Sequence, residues 1–82
     1  MSALSDENVA RLTAVFRDLF NDDTIVLSEH TTAADIPGWD SFNHINLVMM
    51  VENEFGIRLK TSEITHLKNV GGLMNLIATK VA

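Results

Sequence analysis

The chain has 82 residues, no cysteine, 46% hydrophobic and 21% charged residues, and a formal net charge of −5. That is one small globular domain, too apolar to be disordered, and it excludes disulfide staples and thiol chemistry from the protein itself. The acidic balance argues against nucleic-acid binding, which needs basic patches, and no run approaches the roughly 20 apolar residues of a membrane span. The stretch from Met1 to Glu7 lacks a basic segment ahead of an apolar run, so no signal peptide is expected. The charge is uneven: residues 1–40 carry net −6 and residues 41–82 net +1.

Ser5-Asp6-Glu7 has the chemistry of a helix start, with a capping hydroxyl and two acids at the positive end of the macrodipole. Val9, Leu12, Phe16, Leu19 and Phe20 recur at helical spacing, so a first helix is expected from about Ser5 to Phe20, stopping at Asn21-Asp22-Asp23. Residues 21–40 form a long connection, with Ile25 and Leu27 as its anchors and one helical turn between Thr31 and Asp35. Pro37-Gly38 closes it with turn chemistry. Loops of this length in small domains are often functional. Asp22-Asp23 lacks the spacing of a calcium loop and reads as a solvated acidic turn.

A second helix is expected from Asp40 or Ser41 to Phe55, with Gly56 as its stop. Its apolar residues divide into two stripes. Leu47, Val48, Val51 and Phe55 form a core stripe, while Phe42, Ile45 and Met49 lie on another side, flanking Ser41. The second stripe is either packed on the loop or a neighbouring helix, or left free for a partner. Beyond Gly56, Ile57 and Leu59 point inward and Arg58 and Lys60 outward. Thr61-Ser62-Glu63 offers a cap for a short third helix with Ile64 and Leu67 inward and Lys68 at its negative end. Asn69 caps a fourth helix whose stripe is Val70, Leu73, Met74, Ile77 and Val81; Gly71-Gly72 leave room there for a close neighbour. The expected architecture is all-α, a four-helix bundle of three longer helices and one short one, with the long loop between the first two.

Asp40, Ser41 and His44 suggest a hydrolase, but the geometry is wrong. A triad needs a base facing the nucleophile and a third group orienting the base. Ser41 and His44 lie within one turn of the same helix and Asp40 precedes it, so they do not converge on a substrate, and no nucleophile elbow is present. His44 reads as a packing or hydrogen-bonding residue. His30, His44 and His66 lack metal-ligand spacing, and no phosphate-cradling glycine loop exists. What remains is a serine at a helix start. It is either an N-cap or, if Asp40 takes that role, an exposed hydroxyl whose phosphodiester would meet the positive end of the helix.

The string Gly38-Trp39-Asp40-Ser41-Phe42-x-x-Ile45-x-Leu47, then Glu52-Asn53-Glu54-Phe55-Gly56-Ile57 and later Asn69-Val70-Gly71, resembles the acyl carrier protein family over most of the chain. The resemblance implies a carrier, not an enzyme. Ser41 would receive 4′-phosphopantetheine from coenzyme A through a phosphopantetheinyl transferase, with Asp40 as the adjacent docking acid, making this a phosphoprotein. The borrowed thiol would hold acyl groups as thioesters for acyl-loading and acyl-modifying enzymes, and Phe42, Ile45, Met49 and Glu52 would meet those partners. Leu47, Met50 and Leu67 are candidates to line a cleft for the cargo. A cytoplasmic monomer is implied, in fatty-acid or polyketide-type biosynthesis. Phe42 stands for the family's usual Leu, Trp39 for an aliphatic residue, and Asn43 and Asn46 for common acids, while Arg58 and Lys60 add positive charge. These departures point toward a specialised acyl pathway. The alternative is an unmodified acidic adaptor in which Ser41 only caps a helix.

Overall fold

In the first helix, α1 (Asp6–Phe20), the local chemistry is that of the sequence. The Ser5 hydroxyl accepts the Asn8 amide at 3.3 Å, Asp6 and Glu7 occupy the first turn, and Asn21 ends the helix in the left-handed region at φ 52°. A computed structural model describes residues 4–64 and 69–81 of the chain, with the backbone alone at Ser41 and Thr61. Leu12 and Phe16 are fully buried and Val15 nearly so, while Val9, Leu19 and Phe20 pack at the edge of the same cluster. Val15 joins the core because it flanks Leu12 on the side away from Phe16, which widens the buried arc. Leu4 is also buried; it precedes the cap, where a hydrophobic residue fixes the entry of the chain.

The connection from 21 to 40 is tied down along its length. Ile25 and Leu27 are buried as expected, and Ile36 is a third anchor beside the single 3-10 turn Ala33–Asp35. Arg17 Nε donates to the Ile25 carbonyl at 2.9 Å. Asp22 folds its carboxylate onto Thr24, whose hydroxyl and amide hold that carboxyl below its ordinary pKa. Asp22-Asp23 is therefore a turn, and no metal cluster occurs among the described residues.

The second helix, α2, runs from Ser41 to Phe55 and stops at Gly56, φ 63°, whose amide bonds the Glu52 carbonyl. Leu47 and Val51 are fully buried and Val48 nearly so; Phe55 packs half-buried at the margin. Burying side chains of this size contributes about 1.5–3 kcal/mol each. Leu47 is thus core; Leu67, named with it as lining a cleft, lies outside the described residues, as do His66 and Lys68. Arg11 binds α1 to α2: its Nε donates to Glu54 Oε2 at 2.8 Å, its Nη2 to the Glu54 carbonyl, and its guanidinium sits 4.7 Å from the Phe55 ring centre.

The short helix α3 (Thr61–Ile64) starts one residue earlier than its hydroxyls suggest. Lys60 takes the cap position, its carbonyl accepting the Glu63 and Ile64 amides and its own amide donating to Glu63 Oε1 at 3.0 Å. Lys80 donates to the same oxygen at 3.0 Å. The last helix, α4 (Val70–Val81), buries Val70, Leu73, Met74 and Ile77, but Val81 is 41% exposed because the final turn outruns the core. Asn69 Oδ1 accepts the Gly72 amide at 2.9 Å, the expected cap. The loop supplies the rest: Thr31 and Glu29 carbonyls accept the Val70 and Gly71 amides at 2.7 and 3.1 Å. A Cβ at Gly71 would lie 2.6 Å from the Glu29 carbonyl oxygen, so only glycine permits this approach. Among the described residues there is no strand, and no helix is long and apolar enough to cross a membrane.

Candidate functional site

The site is the junction of the long loop with α2. Pro37 and Gly38 make a turn in which Gly38 takes φ 89° and the Trp39 amide bonds the Ile36 carbonyl at 3.2 Å. A side chain at Gly38 would be strained by that φ. Asp40 follows in extended backbone as the N-cap, its Oδ1 accepting the Asn43 amide at 2.8 Å and its carbonyl the His44 amide. Of the two readings left open for the helix start, the cap therefore belongs to Asp40. Ser41 is the first residue inside the helix.

The neighbours of Ser41 are fixed on both sides. Asn43 Nδ2 donates to the Gly38 carbonyl at 2.7 Å. Trp39 Nε1 donates to His44 Nδ1 at 3.2 Å, and the two ring planes lie 20° apart with centroids 6.0 Å from each other. The indole also meets fully buried Phe16 edge-on at 5.3 Å and Phe20 at 6.3 Å. His44 is thus the hydrogen-bonding residue its position suggested. Trp39 is what sequence reasoning missed: it figured only as a departure from a family pattern. The signal was an aromatic N–H donor five residues before a histidine across a helix start.

His44 Nδ1 is occupied by the indole and Asp40 Oδ1 by a backbone amide. Neither is aimed at the other.

Along the outer side of α2, Phe42 is 73%, Ile45 59% and Met49 57% exposed. The second stripe therefore does not pack on the loop or on another described helix. From Ser41 to Val51 the helix has no Asp, Glu, Lys or Arg. Glu52 differs from these three residues: it is half-buried and its Oε2 accepts the Leu59 amide at 3.0 Å, pinning the connector after α2.

The all-helical fold is that of a class of carrier proteins, and the comparisons with known proteins say which. The chain is similar to the holo acyl carrier protein of Geobacter metallireducens, solved by NMR in solution, with 42% identity over 89% of this chain and 84% of that one, at a TM-score of 0.84. It is also similar to the crystal structure of an acyl carrier protein from Thermotoga maritima, with 27% identity over 92% and 87% of the two chains and a TM-score of 0.78. No family model matches the chain, and neither does any curated protein. The chain belongs to the acyl carrier protein family.

Proposed function

We propose that this chain carries acyl groups as thioesters on a 4′-phosphopantetheine arm joined through a phosphodiester to Ser41. The observation that carries the proposal is the division of labour at the start of α2: Asp40 performs the capping, so Ser41 is not needed for it. A phosphate on the first residue of a helix meets the positive end of the macrodipole. The chain has no cysteine, so a thiol on this carrier comes with the arm. When bound, the arm supplies that thiol. The protein's own residues hold the attachment point: Asp40 fixes the first turn and presents a carboxylate beside the serine to a phosphopantetheinyl transferase, while Gly38 and Trp39 set the direction of the loop.

Phe42, Ile45 and Met49 form the face that acyl-loading and acyl-modifying enzymes contact, with Glu52 at its end. The chain acts as a carrier and not as a catalyst, a single cytoplasmic carrier domain working as a monomer. Because Asn43 and Asn46 replace acids on α2, its partners belong to a specialised acyl or polyketide-type pathway rather than to general fatty-acid synthesis. Loading assays with both kinds of partner enzyme test this; efficient service to a fatty-acid synthase would contradict it.

The attachment is tested by intact-mass measurement after incubation with coenzyme A, magnesium and a broad-specificity phosphopantetheinyl transferase. The wild type should gain one phosphopantetheinyl group and Ser41→Ala none. An unchanged mass in folded wild-type protein would favour the unmodified adaptor instead, and an equal gain in Ser41→Ala would move the site elsewhere.

A further inference from the structure

We propose that Trp39 and His44 form a latch that sets how Ser41 is presented, and that they are positioning residues for its modification. The proposal rests on the reading of Ser41 as the attachment site. Trp39 lies two residues before the serine and His44 three after it, so the indole-to-imidazole bond spans the point where loop becomes helix. An imidazole nitrogen that accepts a hydrogen bond carries no proton, so His44 bears its proton on Nε2 in this arrangement. The indole is in turn held by the core: Phe16, against which it lies edge-on, is fully buried. A rigid line therefore runs from the centre of α1 through Trp39 to the first turn of α2.

Other bonds hold the helix start but do not replace this one. Asp40 bonds within its own turn, to the Asn43 amide, and Asn43 returns to the Gly38 carbonyl. Both act between residues adjacent to the junction, and neither reaches α1. The Trp39 ring ties the junction to α1 and to α2 together. Without the bond to His44, the helix would still be capped, but its angle to the loop would be set less narrowly. Fewer molecules would then hold the serine in the orientation a transferase accepts. A binding-competent fraction that falls raises the apparent binding constant in proportion and leaves the rate at saturation alone.

The test compares wild type, Trp39→Phe, His44→Leu, His44→Asn and the double variant Trp39→Phe/His44→Leu as apo proteins in a steady-state transferase assay. Thermal unfolding gives the folded fraction of each at the assay temperature. Trp39→Phe keeps an aromatic ring against Phe16 while removing the donor and part of the ring, so the test stands even if His44→Leu does not fold. His44→Asn returns an acceptor close to the Nδ1 position. KM should rise about 5-fold in Trp39→Phe and in His44→Leu, the scale of one lost hydrogen bond. The value of kcat should stay within about 2-fold, His44→Asn should recover most of the loss, and the double variant should be no worse than the worse single one. The chain has one tryptophan, so its indole N–H proton resonance reports the bond directly; it should move in His44→Leu and return in His44→Asn. Unchanged KM in folded Trp39→Phe and His44→Leu would overturn the latch while leaving Ser41 as the site. So would a loss that merely follows the unfolded fraction and is not rescued by Asn. A wild type that is not modified at all would overturn the Ser41 reading and this proposal with it.

Discussion

The starts of α2 and α4 share a side-chain cap, Asp40 and Asn69, and differ in what else covers them. Every helix start leaves backbone amides without intrahelical partners. At α4 the long loop lies directly on them: the Thr31 and Glu29 carbonyls take the Val70 and Gly71 amides, and no side chain fits at Gly71. At α2 a side chain does that work, Asp40 accepting the Asn43 amide, while the Asn43 and Trp39 side chains donate to the Gly38 carbonyl and to His44 and hold the junction. The residues around that second start, Gly38, Asp40 and Phe42, are exposed. The sealed start serves architecture. The open one is left accessible, and it is the one that carries Ser41.

The contrast can be broken at α4 first, where the largest effect on stability is expected. Gly71→Ala would normally favour a helix by about 1 kcal/mol. Here the new methyl meets a backbone carbonyl that cannot swing aside, and overpacking of about 1–3 kcal/mol should win. Chemical denaturation should show net destabilisation, and a stabilised Gly71→Ala would mean that the loop does not seal α4. The transferase KM of the folded variant should be little changed, since the α2 junction is built separately.

On the exposed stripe of α2 the pattern should invert. Ile45→Ser and Met49→Ser remove apolar surface that is already in water, so stability should move by less than about 0.5 kcal/mol. Affinity for an acyl-loading partner should fall about 10-fold, or roughly 1.4 kcal/mol, as for a loss within an interface core. Because residues 41–51 carry no formal charge, the wild-type affinity should depend only weakly on salt. A steep salt dependence in surface-binding measurements would mean that charged residues elsewhere dominate docking.

The smallest effect concerns the tie between α3 and α4. Glu63 is held below its ordinary pKa of 4.5, first by the Lys60 amide and then by the Lys80 ammonium. A depressed carboxylate contributes stability above its unfolded value and loses it as the pH falls through the folded one. Glu63→Gln should therefore be slightly less stable than wild type near neutrality and should converge with it in acid. A deficit that persists unchanged into acid would show that the ion pair is not its source.

Much of this was legible in the residues themselves. Ser5, Asn69 and Gly56 mark helix ends by chemistry that acts over three or four residues, and the structure uses each as such. The separation of Leu47, Val48 and Val51 from Phe42, Ile45 and Met49 followed from helical periodicity and holds in the burial pattern. The readings that failed depend on what lies across space. Ile36 became an anchor because the 3-10 turn brings it inward, and Val81 fell outside because the core ends before α4 does. The cap position of α3 fell on Lys60, whose carbonyl accepts the Glu63 and Ile64 amides while its amide donates to the Glu63 carboxylate. Trp39 gained its role only when Phe16 on another helix came against it.

Among the described residues three serines stand at helix starts, Ser5, Ser41 and Ser62, and of these Ser41 opens its helix behind an aspartate cap. The central claim is that this difference selects the attachment point. Fragment-ion mass mapping of the protein after treatment with transferase and coenzyme A tests it most directly. The account predicts a single phosphopantetheinyl adduct on Ser41. An adduct on Ser5 or Ser62, or folded protein that stays unmodified, would contradict it.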